Sequence, residues 1–158
     1  MQPTSTLARF LPYQLSLASN AVSGRIAQEY RQRWELSIPE WRVMAVLGDA
    51  GPQTQRELTK RTLMDKVAVN RACKVLEERS LAQRTPNEHD GRSHLLALTS
   101  EGTTMHGEIM PLALEMERQL FAGFSAEELD LFRTLLARAR AKAEALSDDD
   151  LPGTGGLR

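Results

Sequence analysis

"MDKVAVNRACKVLEERSLAQR", residues 64–84, is the stretch on which the reading of this chain turns. Asp65 is suited to start a helix, because its carboxylate can accept from backbone N–H groups that have no partner in the first turn. Val69, Ala72, Cys73 and Leu76 then recur at helical spacing on one face, whereas Lys66, Val67, Asn70, Arg71 and Lys74 share the opposite one. The spacing predicts a helix to about Arg79 with an apolar inner side and a polar, basic outer side. Just upstream, "TQRELTKR" (54–61) places Glu57 three residues after Thr54, the capping-box spacing, with Leu58 as its core contact. Two helices joined by a tight turn, the second amphipathic with a basic outer face, form a helix-turn-helix arrangement.

Working outward, residues 82–86 and 94–99 read as two strands around the polar tip "PNEHDGRS" (86–93), which predicts a hairpin. Thr99 or Ser100 begins a long helix through Met105, Ile109, Leu112, Met116 and Leu120, in which Pro111 should cause a bend or a break. Ser125 with Glu128 is a second capping-box start. Leu129, Phe132, Leu135, Leu136 and Ala139 carry that helix to about Leu146, and an acidic, then glycine-rich tail follows. On the N-terminal side, residues 1–8 read as a loose lead-in. Leu11, Leu15, Ala18, Val22, Ile26 and Tyr30 trace one stripe of a first helix. In "ELSIPEW", Ser37 can cap a further helix with Pro39 in its first turn and Trp41, Met44, Ala45 and Leu47 inside, and "GDAGPQ" ends it.

Composition narrows the function classes. At 158 residues with 41% apolar content the chain is most economically one domain, and its core must be built from Leu, Ala, Val and Met because aromatics are 5%. A net charge of −1 argues against coating nucleic acid by bulk charge. The charge is nonetheless unevenly placed: Arg56–Arg92 holds nine Lys/Arg against six Asp/Glu, net +3, leaving −4 elsewhere. Apolar runs fall short of a membrane span, no signal-peptide layout is visible, and the single Cys73 fits a reducing cytoplasm. No P-loop, HExxH, GxSxG or dinucleotide fingerprint is present, and His89, His94 and His106 lack zinc-ligand spacing, so the chain reads as a non-enzyme.

Residues 37–102 resemble the winged helix-turn-helix of the MarR family of bacterial transcription regulators. "TQRELTKR" looks like the family's first motif helix, and "MDKVAVNRACKVLEERSLAQR" like its recognition helix and first wing strand. "DGRSHLLALTSEG" looks like its wing tip, returning strand and next helix start. With the flanking helices included, the resemblance covers roughly residues 10–146. Ser80, Ala72 and Thr59 depart from the usual Gly, Leu and Ala. The fold implied is mainly α with a small β-hairpin wing: dimerisation helices in 1–36 and 101–147, the DNA-binding lobe in 37–100, and a flexible tail in 148–158.

The function implied is double-stranded DNA binding. Asn70 and Arg71 can each form bidentate bonds to a base, and Val67 shares their face. Lys66 and Lys74 would meet phosphates, as would Thr54 and Gln55 at a helix N-terminus; Arg84 belongs to the same basic surface. Arg92 is the residue expected in the minor groove, oriented by Asp90, with His89 left as an exposed tip. Leu11, Leu15, Phe132, Leu135 and Leu136 are expected to pack across the two-fold axis of a homodimer bound to an inverted repeat. Resemblance to the family also implies release by a small aromatic or anionic effector, an aromatic acid or phenol. Candidate contacts are Tyr13, Ser16, Asn20, Arg42 and His106, and the genes controlled would be of aromatic or nicotinate-type catabolism. Rival readings are a metal-responsive regulator, since His106 and Glu108 share a region, a redox-responsive one through Cys73, and a winged-helix protein-interaction module without DNA contact.

Overall fold

The computed structural model describes residues 6–146 and 150. Its order is α1 (Thr6–Arg9), α2 (Leu11–Trp34), α3 (Ile38–Ala50), β1 (Gln53–Thr54), α4 (Gln55–Thr62), α5 (Lys66–Glu78), β2 (Ala82–Pro86), β3 (His94–Leu98), α6 (Ser100–Leu120) and α7 (Ala126–Ala145). The chain divides into two compact units, the first ending at Glu117 and the second beginning at Arg118. Expectations for the tail lie outside the described residues, Asp150 excepted. Part of the expected loose lead-in is a helical turn, α1, and the two-stranded hairpin is one part of a larger sheet.

Local chemistry sets most helix starts. Ser37, Thr54 and Ser125 each accept the N–H of the glutamate three residues on, and Glu40, Glu57 and Glu128 return a carboxylate to the cap's own N–H. Each box satisfies two donors that the helix itself cannot. Asp65 begins α5 in the simpler way, its carboxylate accepting the Ala68 N–H at 2.8 Å. Pro111 does not divide α6, which runs unbroken through it. Proline removes the bond to the carbonyl four residues back, that of Gly107. Pro111 and Gly107 are both exposed, so water can replace the missing donor.

The core of the first unit is continuous. Tyr30 and Leu36 meet Val43, Met44 and Leu47 of α3, Leu58 of α4, and Val69, Ala72, Cys73 and Leu76 of α5. Leu81, Ala82, Leu96 and Ile109 complete it. The four inner residues expected of α5 are thus the four that it buries. The sheet has the order β1-β3-β2. Ala82 pairs with Leu98 and Pro86 with His94 across the hairpin, while Gln53 and Thr54 pair with Leu96 and Leu95 on the other side of β3. Thus α4 and α5, with β2 and β3 behind them, make a winged helix-turn-helix. In the second unit Phe121 packs against Phe124 and Phe132, with ring centroids 5.5 and 6.2 Å apart.

The turn leaving α5 carries a local cost. Ser80 has φ of 58°, a left-handed conformation that crowds any side chain. It is held there because the Leu81 N–H donates to Leu76 O at 2.8 Å, closing the helix end. Ser80→Gly is expected to raise unfolding stability by about 1 kcal/mol. Urea denaturation measures this directly, and an unchanged or lower midpoint would show that the turn is not strained.

Candidate nucleic-acid interface

The outer face of α5 is what its periodicity leaves over once the core is filled. Lys66, Val67, Asn70, Arg71 and Lys74 are all exposed, and Val67 retains 66% of its surface. Because the inner face is buried to the last atom of Val69 and Leu76, the helix cannot roll without opening the core. A rigid helix with short amide, guanidinium and ammonium groups on one side can enter a major groove and place two of them on base edges.

Beside this helix lies an open cleft of about 360 Å³ lined by Thr54, Gln55, Arg56, Arg84, Asn87, Asp90, Arg92, Ser93 and His94. It brings together the start of α4, β2 and the wing tip. Three guanidiniums face one carboxylate there, which favours an anion. Arg84 is anchored by Nε to Glu77 Oε1 of α5 at 2.8 Å, with its terminal nitrogens directed to no other partner among the described residues. The Thr54 hydroxyl accepts from Glu57 N–H at 3.2 Å but keeps its own proton. The capping box uses the N–H groups of Thr54 and Glu57, and the N-terminus of α4, the positive end of its dipole, lines the cleft through Thr54, Gln55 and Arg56. Glu57 holds a negative charge nearby, which works against a phosphate.

The wing tip is organised by its own side chains. Asn87 Oδ1 accepts the His89 N–H at 3.1 Å, and Asp90 Oδ1 accepts the Arg92 N–H at 3.0 Å, two successive side-chain turns. Asn87 Nδ2 donates to Ser93 Oγ at 3.0 Å, closing the base of the loop. Asp90 therefore grips the backbone of Arg92, and the Arg92 guanidinium forms no ion pair among the described residues. His89 is exposed.

The MarR family profile matches residues 34–93. The HTH-type transcriptional regulator YwoH of Bacillus subtilis is 30% identical over 131 residues, spanning 83% of this chain and 94% of that protein. The chain belongs to the MarR family. It is thus a DNA-binding transcription regulator. A MarR/EmrR family regulator from Acinetobacter superposes with a TM-score of 0.83 at 26% identity, covering 89% of this chain and 99% of that one. The homoprotocatechuate degradative operon repressor of Escherichia coli is 24% identical over 122 residues, 77% of this chain and 82% of its own length.

The remaining candidates of this MarR-family regulator are more dispersed. Tyr13, Ser16, Asn20 and Arg42 are exposed, and Ser16 Oγ donates back to Pro12 O at 3.0 Å within α2. His106 is half-buried: it stacks on Trp41 at 5.9 Å, and its ring lies so close over Gly48 that a side chain there would overlap it. No hydrogen bond or ring contact among the described residues joins Tyr13, Ser16 or Asn20 to Arg42 or His106. Glu108 accepts from the Trp34 indole at 3.3 Å, and two residues apart on a helix it does not share a face with His106. Cys73 is buried; burial pushes its thiol up to about 11, with Glu77 adding to the rise and Arg84 opposing it. Thiolate, the reactive form, is correspondingly scarce near neutral pH. No helix among the described residues is long and apolar enough to cross a membrane.

Arg56, Asn87 and Ser93 are members of the cleft that periodicity and motif did not single out. Arg56 had a signal, a cation in the first turn of a helix that begins at the presumed DNA surface. Asn87 and Ser93 had none, because their place depends on the closure of the loop.

Proposed function

We propose that this MarR-family regulator is a homodimeric repressor that occupies an inverted-repeat operator and is released by a small aromatic or anionic effector. The observation that carries the DNA half is the outer face of α5, where Lys66, Asn70, Arg71 and Lys74 stand exposed over a fully packed inner face. In this reading Asn70 and Arg71 contact base edges, and Val67 meets a thymine methyl. Lys66, Lys74, Arg84, Thr54 and Gln55 contact phosphate, with Arg56 added from the cleft. Arg92 enters the minor groove, and Asp90 fixes it through the backbone bond described above.

Dimerisation is supported by apolar surface that one chain leaves in water. Leu11, Leu15 and Leu17 of α2 are 74%, 49% and 50% exposed, and Phe132, Leu135 and Leu136 of α7 are 41%, 45% and 39% exposed. The effector half is supported by the likeness to a repressor of an aromatic degradative operon. Tyr13, Ser16, Asn20, Arg42 and His106 remain its proposed contacts, with His106 and Trp41 offering a ring surface. Ligand would act by favouring a spacing of the two recognition helices that no longer matches adjacent grooves.

The test is a salt titration of binding to the gene's own upstream duplex against a scrambled duplex. We expect preference for the upstream duplex, with a salt slope of roughly −4 per subunit from Lys66, Lys74, Arg84 and Arg56 on phosphates. Equal binding to both duplexes at physiological salt rules out a sequence-specific repressor. A thermal-shift screen of aromatic acids addresses the effector.

A further inference from the structure

Two helices of this regulator end at one residue, Arg79. Past Trp34 the backbone turns left-handed at Glu35, φ 54°, and the last carbonyls of the 24-residue α2 have no helical donor. The Arg79 guanidinium supplies them from 45 residues away: Nη2 donates to Trp34 O at 2.9 Å and Nη1 to Glu35 O at 3.1 Å. Arg79 is at the same time the C-cap of α5, its own N–H donating to Val75 O at 3.0 Å. The next residues fasten the opposite side. Ser80 O accepts the Thr99 hydroxyl at 2.6 Å, Leu81 O accepts the Thr99 N–H at 3.1 Å, and the same hydroxyl accepts the Gly102 N–H at 3.0 Å. Within three residues the end of α5 is thus bonded to the end of α2 and the beginning of α6.

The chemistry suits a joint. A planar guanidinium carries two parallel donors that can span successive carbonyls, which an ammonium cannot do with the same directional constraint. Its charge also complements the negative end of a long helix dipole. No carboxylate pairs with Arg79 among the described residues, so its interaction is spent on the backbone of another helix. The α2 helix is about 36 Å long, and its far half is the exposed apolar stretch of Leu11, Leu15 and Leu17.

The geometry points to Arg79 as a positioning residue that sets the angle of α5 against α2, so that whatever covers the exposed half of α2 also aims the DNA-reading face. This rests on the DNA-binding role proposed for α5. Arg79 acts through the helices and touches no base or phosphate itself.

Two measurements on full-length Arg79→Lys and Arg79→Ala test it. The first is the spin-label distance between Gln28→Cys and Lys74→Cys, both exposed positions, diluted with unlabelled protein so that only distances within one chain are read. We expect a shifted or broadened distribution in Arg79→Ala and a smaller change in Arg79→Lys; distributions identical to the parent overturn the joint. The second is affinity for the upstream and scrambled duplexes. Arg79→Ala should lose about tenfold on the upstream duplex, the size of one lost base contact, with the scrambled duplex and the salt slope unchanged and Arg79→Lys partly restored. Equal loss on both duplexes with a slope reduced by about one would make Arg79 a phosphate contact and overturn the proposal. Should the parent protein fail to prefer the upstream duplex, the repressor reading falls, and the distance measurement still decides the joint. Arg79→Lys keeps both arms readable if the alanine variant does not fold.

Discussion

Gly102→Ala is expected to destabilise the fold by about 3 kcal/mol, the upper range for a side chain forced into filled space. Gly102 is buried in the first turn of α6, and a Cβ there would run into the backbone carbonyl of Leu81 and press on Leu98 Cδ2 at 3.3 Å. A carbonyl between α5 and β2 cannot swing aside as a flexible side chain would. It also accepts the Thr99 N–H, so moving it breaks the bond that starts α6. Gly24→Ala, inside α2 with nothing within 4 Å, is the control and should gain about 0.5–1 kcal/mol from helix propensity. Urea unfolding of the two variants gives the comparison. Gly102→Ala within about 0.5 kcal/mol of the parent would mean that the close approach of α6 to Leu81 is not as described.

The second large effect is on DNA. Asn70→Ala with Arg71→Ala should weaken binding to the upstream duplex by about 10³-fold or more. A bidentate base contact discriminates by about 1–3 kcal/mol, and each would occur in both half-sites of a dimer. Binding to scrambled duplex should fall far less, reflecting one lost cation per subunit. Both positions are exposed, so the unfolding midpoint should hold. Fluorescence anisotropy on labelled duplexes reads the ratio. Comparable losses on both duplexes would move Asn70 and Arg71 from base reading to general electrostatics.

What could be read from the sequence was whatever a few neighbouring residues decide. The glutamates three positions after Thr54 and Ser125 announced capping boxes because that interaction closes within one turn. The faces of α5 followed from helical period alone. The wing strands followed from two short strand-like runs, the second of them apolar, on either side of a polar tip. Strand β1 was invisible for the opposite reason: two residues have no period, and Gln53 and Thr54 are extended only because Leu95 and Leu96 lie alongside. The cleft was half legible, since Thr54, Gln55, Arg84 and Arg92 could be placed by motif while Asn87 and Ser93 depend on contacts between distant segments. The Arg79 bonds, spanning 44 and 45 residues, leave no local trace. Tyr13, Ser16 and Asn20 were chosen by their place on the first helix, and exposed side chains do not disclose what meets them.

The strand order has a consequence for solubility. With β3 central and β1 covering only two of its residues, β2 is the long open edge of the sheet. Open edges recruit strands from other molecules. Here the edge ends in Pro86, which has no N–H to donate, and carries Arg84, whose charge would have to be buried in any such pairing. Pro86 and Arg84 thus keep the wing of one molecule from pairing with the wing of another.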